Sequence, residues 1–178
     1  MATKKLKVIN ILGGPGTGKS TARAGLFNLM KTAGINCEEV TEYAKDLTWE
    51  QSLDKMADQL YILAKQNRKL ERLKGKVEWV ISDSPLLLSL HYAPLDYFPE
   101  TFQNLVKELW GSYDNYNLFI KRSKPYNPVG RNQTEEEAKR IDLQIMDMLN
   151  KNNYNFIVVS GEKPHETIFN MLHQLRSI

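Results

Sequence analysis

The sequence predicts an α/β fold: a three-layer α/β/α sandwich in which a five-stranded parallel sheet is covered by helices on both faces and carries a short lid. Two observations point there. Short apolar runs rich in β-branched residues alternate with segments whose apolar residues recur every three or four positions, the pattern of parallel strands joined through crossover helices. The first such run also stops at a glycine cluster that leads straight into a helical segment, as a buried parallel strand does.

Taken in order, Leu6 to Leu12 (LKVINIL) reads as the first strand. From Lys19 to about Thr32 the residues Ala22, Leu26, Phe27, Met30 and Ala33 keep helical spacing, and Gly34 supplies the stop. Ile35 to Val40 is the second strand, ending at Thr41-Glu42-Tyr43. Thr48 with Gln51 reads as a capping box, which predicts one long helix through Leu53, Met56, Ala57, Leu60, Leu63 and Ala64 towards Leu73 and Gly75. Val77 to Ser82 (VEWVIS) is the third strand and ends on Asp83. A helix over Pro99 to about Gly111 and a fourth strand over Asn117 to Ile120 follow. Lys121 to Asn132 is a polar loop with two prolines, a glycine and four basic residues. Thr134 with Glu137 is a second capping box, opening a helix to about Asn150. Phe156 to Ser160 (FIVVS) is the fifth strand, Gly161 to Pro164 a turn, and the last helix runs to Arg176.

Composition bounds the function. The 178 residues predict a single domain over 1–178, with a lid at about 121–140. A chain of this size buries roughly 70% of its unfolded surface and needs neither disulfides nor metals to hold a core. The lone Cys37 excludes an internal disulfide and a Cys-rich zinc site, so the expectation is an intracellular, cytoplasmic chain. No run of 18 consecutive apolar residues predicts a membrane span. The net charge of +3 is too small to imply nucleic acid by itself. His91, His165 and His173 are too scattered for a metal cluster.

Gly13-Gly14-Pro15-Gly16-Thr17-Gly18-Lys19-Ser20 matches G-x-x-x-x-G-K-[ST] between a predicted strand and a predicted helix. Such a phosphate loop lets backbone N–H groups of residues 14–20 converge on an anion while the helix N-terminus adds partial positive charge. Gly14, Pro15, Gly16, Thr17, Gly18, Lys19, Ser20 and Thr21 are therefore the nucleotide-binding candidates. Lys19 would bind β/γ oxygens, Ser20 would hold Mg2+, and Thr21 would hydrogen-bond phosphate.

The rest of the chain narrows the class. Motor and remodelling ATPases place a water-activating glutamate beside the acid after the third strand, whereas Ser84 follows Asp83 here. Guanine-specific N-K-x-D is missing too, since Asn150-Lys151-Asn152-Asn153 lacks the aspartate. Glu42 and Asp83 end the second and third strands, where an open parallel sheet places its ligands. One could accept or position an acceptor hydroxyl's proton and the other organise the Mg2+ shell; Asp83 as a helix cap and Glu42 as a solvated loop acid are the bland alternatives. Lys121, Arg122, Lys124 and Arg131 resemble a lid, with Gly130 as its hinge and Arg131 and Arg140 as the candidate charges on the transferring group. Gln59, Tyr61, Gln66 and Asn67 read either as base-reading groups or, more simply, as a solvated helix face. Trp49 and Tyr43 read as stacking or core residues, and Tyr92 to Pro99 as an acceptor wall or a partner surface.

On these residues the chain resembles the P-loop nucleoside and nucleotide kinase group, most closely the small kinases related to the ribosylnicotinamide kinase domain of NadR. GGPGTGKST, Thr41-Glu42-Tyr43-Ala44, Asp83 and Tyr116-Asn117-Leu118-Phe119 before the arginine-bearing lid carry it, spanning most of the chain. The stretch KPYNPVGRNQTEEEAKRID is also similar to small phage-encoded ATPases or kinases, and Gly-Gly-Pro-Gly with Val129-Gly130-Arg131 resembles adenylate kinases, though no Asp-Leu-Leu-Arg element follows the second strand. The resemblance implies ATP with Mg2+ as cofactors, a nucleoside- or nucleotide-like small acceptor, acceptor contact at Glu42 or Asp83, adenine held by backbone at Ser160 to Lys163, a phage source, and a homodimer as an admissible assembly. Two other readings stay open. One is a kinase acting on a DNA or RNA hydroxyl, with the lid and Lys4, Lys5 and Lys7 as a basic patch; the other is a nucleotide-dependent regulatory ATPase without a small acceptor.

Overall fold

The computed structural model describes residues 4–94, 96–129, 131, 133–175 and 178. Five strands, β1 (Lys7–Leu12), β2 (Cys37–Val40), β3 (Trp79–Ser82), β4 (Asp114–Ile120) and β5 (Ile157–Val159), form one sheet in the order β2-β3-β1-β4-β5, every pair parallel. The helices are α1 (Lys19–Thr32), α2 (Tyr43–Trp49), α3 (Leu53–Ala57), α4 (Gln59–Glu71), α5 (Leu88–Tyr92), α6 (Pro99–Gly111), α7 (Glu135–Lys151) and α8 (Pro164–Gln174).

Strand alternation divides the core into two layers. Val8 and Leu12 of β1, Val80 of β3 and Phe119 of β4 turn to one face, beneath Leu63 and Leu70 of α4, Phe102 and Val106 of α6, and Ile145 and Leu149 of α7. Their neighbours Ile9, Ile11, Trp79, Ile81, Leu118 and Ile120 turn to the other, beneath Ala22, Leu26 and Met30 of α1 and Ile168 and Leu172 of α8. The expected three-layer sandwich is thus formed. One polar group crosses the sheet: buried Asn10 donates to Asn115 Oδ1 at 2.9 Å and Asn117 Oδ1 at 3.0 Å. These amides sit in the β1–β4 register that pairs Asn10 with Asn117, and a one-residue slip would bury them unpartnered.

The first turn follows the sequence closely, with α1 starting at Lys19, Gly18 as its left-handed N-cap, and Gly34 left-handed after its end. The Thr134–Glu137 capping box is present, with both reciprocal bonds. Two expectations are corrected. The long helix from Thr48 is three helices, α2, α3 and α4. Thr48 lies inside α2 and its hydroxyl donates to Ala44 O, while Gln51 takes a left-handed φ of 56°, so the supposed capping box is a helix end. The cap of α4 is Asp58, whose carboxylate accepts the Tyr61 N–H. Asp83 caps no helix; α5 begins five residues on, in a stretch with no periodic signal long enough to reveal it. Gly130, Asn132 and Arg176 lie outside the described residues.

Candidate active site

The sheet order places β3 beside β1, and the register Asn10↔Ser82 brings the residue after β3 level with the approach to the phosphate loop. The loop itself is stabilised from within: Thr17 N–H and its hydroxyl both donate to Gly14 O. Lys19 Nζ donates to the same carbonyl at 2.9 Å. Gly14 occupies a position the motif leaves free, and α7 explains the glycine. A Cβ there would lie 2.6 Å from Asp142 Oδ1 and 2.7 Å from Ala138 O.

Two acids flank the loop, in different settings. Asp83 is 2% exposed, its Oδ2 accepts Arg23 Nε at 3.1 Å, and its Oδ1 is buried with no hydrogen-bond partner. Arg23 also pairs with Glu39 of β2. Glu42 is half-buried and lines the cavity directly, whereas at Asp83 the wall is formed by Ser84 and Pro85. Burial pushes the Glu42 carboxyl above its usual range, with Lys19 opposing and Asp83 reinforcing the shift. Enclosure likewise lowers Lys19 below an ordinary lysine, against the pull of Glu42, Asp83 and Asp142.

The loop after β4 lies over the phosphate loop. Arg122 Nε donates to Asp142 Oδ2 at 3.0 Å, Nη2 lies 2.9 Å from the same oxygen as an ion pair and donates to Pro15 O at 2.9 Å, and Nη1 is buried without a hydrogen-bond partner. Tyr126 covers Gly16, whose φ of +79° and closeness to the ring, 2.8 Å from a would-be Cβ, both require glycine. The Arg122 and Arg131 guanidiniums both lie over the ring, 6.0 and 5.6 Å from its centre. Arg131 lines the cavity and lowers the Lys19 pKa, so it faces the phosphate loop. Arg140 does not: it is exposed on α7, and the second loop arginine at the phosphate site is Arg122. Gly130, the expected hinge, lies outside the described residues.

Pro15, Gly16, Gly18, Lys19, Ser20 and Thr21 open into a cavity of about 430 Å3 that continues past Glu42 to Thr48, Trp49, Met56, Gln59, Ile62, Leu88, Ser89 and Tyr92. Trp49 is 62% exposed and is therefore a cavity residue, not core. Gln59 and Gln66 are buried cavity residues instead of a solvated face. Gln66 is committed to the backbone at Thr41 and Tyr43, while Gln59 bonds only Met56 O among the contacts described. Tyr43 and Tyr61 pair with each other through their hydroxyls at 2.8 Å, and Asn67 accepts from Tyr113. Arg23 and Asp142 are not legible in the sequence, and Arg122 is legible there only as a basic lid residue, because each acquires its role from a partner 16 to 128 residues away. No group of three or more His, Cys, Asp or Glu among the described residues is arranged to hold a metal, and none of the described helices is long and apolar enough to cross a membrane.

Comparisons with known proteins agree with the fold. No curated protein gives a significant match. Among solved structures, the NadR protein in complex with NR is similar over 97% of this chain, with TM-score 0.75 and 18% identity; this chain spans about half the length of that one, 52%. Deoxyadenosine kinase from M. mycoides with bound dATP (TM-score 0.57, 19% identity, 96% of this chain and 100% of that one) and thymidylate kinase from Ehrlichia chaffeensis (0.59, 15%, 96% and 99%) share the fold. The AAA domain family matches residues 8–166, from the first strand to the start of the last helix. In this chain Ser84, not a glutamate, follows Asp83. With nearly the whole P-loop sandwich inside that match, the chain belongs to the AAA domain family.

Proposed function

We propose that the protein is a kinase that transfers the γ-phosphoryl group of ATP to a hydroxyl of a nucleoside- or nucleotide-like small molecule, working as one domain with residues 121–140 as its lid. The observation that carries this reading is the continuity of the cavity. Lys19, Ser20 and Thr21 sit at one end, a chamber walled by Trp49, Met56, Ile62 and Tyr92 at the other, and Glu42 lines the space they share. A chamber of this kind beyond the phosphate site is what an acceptor molecule needs, and it favours transfer over release to water.

Backbone amides of Gly16 and of residues 18–20 together with Lys19 hold the phosphates, Arg131 adds positive charge, and Glu42 orients the acceptor. As the acceptor oxygen bonds to the γ-phosphorus, the bond from that phosphorus to the β–γ bridging oxygen breaks and ADP leaves. The hydroxyl proton passes to Glu42, whose burial makes it a stronger base than an exposed glutamate. Ser20 and Asp83 fit Mg2+: both are hard oxygen donors, and the unpartnered buried Oδ1 of Asp83 suits a hydrated cation held mainly by phosphates. When bound, the ion would neutralise charge on the transferring group.

The test is transfer of γ-label from ATP to nucleosides, deoxynucleotides, nicotinamide riboside and DNA bearing 5′-hydroxyl or hydroxymethyl groups, with K19A as control. Labelled small acceptor that disappears in K19A supports the reading. Label on DNA alone, with strong salt dependence, or release only as phosphate contradicts it.

A further inference from the structure

Resting on the reading that Lys19 binds nucleotide phosphate, we propose that Arg23 is a positioning residue of that site: by holding Asp83 and Glu39, it keeps the Asp83 carboxylate from closing onto Lys19 and leaves the ammonium free for phosphate.

The geometry sets up a competition. Arg23 follows Lys19 by four residues on α1, so both side chains leave the same face of the helix. Acids crowd that face: Asp83 at the end of β3, Glu39 on β2, Glu42 after β2 and Asp142 on α7. Two arginines deal with three of them. Arg122 takes Asp142, and Arg23 spans Asp83 and Glu39 with its own side chain only 12% exposed. Lys19 ends on the neutral carbonyl of Gly14. A phosphate displaces a carbonyl from an ammonium far more readily than it displaces a carboxylate, because charge-assisted bonds are roughly twice as strong as neutral ones.

Without the Arg23 charge, the Asp83 carboxylate is buried with both oxygens unpartnered, since Oδ1 already lacks a partner and Oδ2 has Arg23. A buried carboxylate left so either takes up a proton or moves onto a nearby cation, and the second course is the one proposed. Lys19 is the cation whose charge it already feels, and an Asp83–Lys19 pair would withdraw the ammonium from the phosphates. Arg23 therefore influences nucleotide affinity through Asp83.

A double-mutant cycle tests this. ADP binding is measured by calorimetry in EDTA, so that no divalent ion intervenes, for wild type, K19A, R23M, D83N and R23M/D83N. The expected result is that R23M weakens ADP binding about tenfold or more, as loss of a charged hydrogen bond does. R23M/D83N then returns most of that affinity, although it lacks both side chains. A purely structural role for Arg23 predicts rescue as well, but only in step with stability, so thermal unfolding of the same variants is read beside the affinity: ADP affinity lost in R23M well below its Tm is the expected result, and affinity that merely follows Tm overturns the proposal. R23M binding ADP like wild type, or the double variant binding as weakly as R23M, overturns the proposal and leaves the kinase reading standing. Wild type that fails to bind ADP in EDTA overturns this proposal, and failure that persists with Mg2+ restored overturns the kinase reading as well. Should R23M not fold, R23K and R23K/D83N carry the same comparison: the shorter arm cannot span both acids, so R23K is weakened to a smaller extent and D83N again restores it, and no difference between the two overturns the proposal.

Discussion

One carboxylate oxygen of Asp142 accepts the Gly14 N–H at 2.6 Å and the other accepts Arg122, so α7 and the loop after β4 are tied to the phosphate loop through a single side chain. Asp142 and Arg122 are 14% and 12% exposed, close to a buried pair. Removing one partner leaves an uncompensated charge, so Asp142→Ala should destabilise the protein by about 3 kcal/mol. The D142A/R122M double variant should recover a large part of that loss. Urea unfolding of the three proteins checks both statements; equal losses in the single and double variants would show that the Gly14 bond, not the ion pair, is what matters.

Gly25 lets α8 approach α1. A Cβ at residue 25 would sit 2.6 Å from His165 Cγ and 2.7 Å from Cδ2. Gly25→Ala should therefore cost about 1–3 kcal/mol through overpacking, despite the better helix propensity of alanine. Truncating the ring in G25A/H165A should return most of it, as thermal unfolding would show.

Glu42 is held where its charge is unwelcome. Burial raises its carboxyl pKa in the folded state, so the penalty of the ionised form is fully present above that raised value, shrinks as pH falls through it, and vanishes below the unfolded value of about 4.3, where both states are protonated. Glu42→Gln should accordingly raise Tm at pH 7 and leave it nearly unchanged at pH 4. The same variant should lose phosphoryl transfer by about 100-fold or more, the usual contribution of a general base. A variant that is stabilised and still active would remove Glu42 from the chemistry.

How much of this the sequence disclosed depends on the range of the interaction. The loop from Gly13 to Ser20, the start of α1 and the Thr134–Glu137 box are written in consecutive residues and were read correctly, because a glycine turn or a cap is decided within a few positions. Thr48 and Gln51 show the limit of that logic: the local pattern of a helix start is also available to a helix end, and Asp58 won the cap because α3 intervenes. The Glu42 and Asp83 placement followed from strand ends alone. Their difference did not, since Asp83 draws its setting from Arg23, 60 residues earlier, and neither residue carries a local sign of the other. Arg140 and Arg122 are alike in composition, and only the packing of α7 shows that Arg122 faces the loop while Arg140 faces solvent.

Trp49 offers an optical report on the acceptor chamber. It is 62% exposed and lines the cavity, while Trp79 is 2% exposed in the core. Trp49→Ala should leave stability within about 0.5 kcal/mol and raise the acceptor KM about tenfold, the loss of one ring stack. Quenching of tryptophan emission by an acceptor should vanish in W49F; quenching that persists would place the acceptor elsewhere.

Transfer to a nucleoside coupled to ADP release can be followed by 31P NMR of one reaction mixture containing ATP, Mg2+, protein and a nucleoside. The γ-phosphate signal should be replaced by a phosphomonoester signal in step with ADP, one for one, with no turnover in K19A. ADP appearing together with inorganic phosphate, at a rate no nucleoside or nucleotide alters, would contradict it.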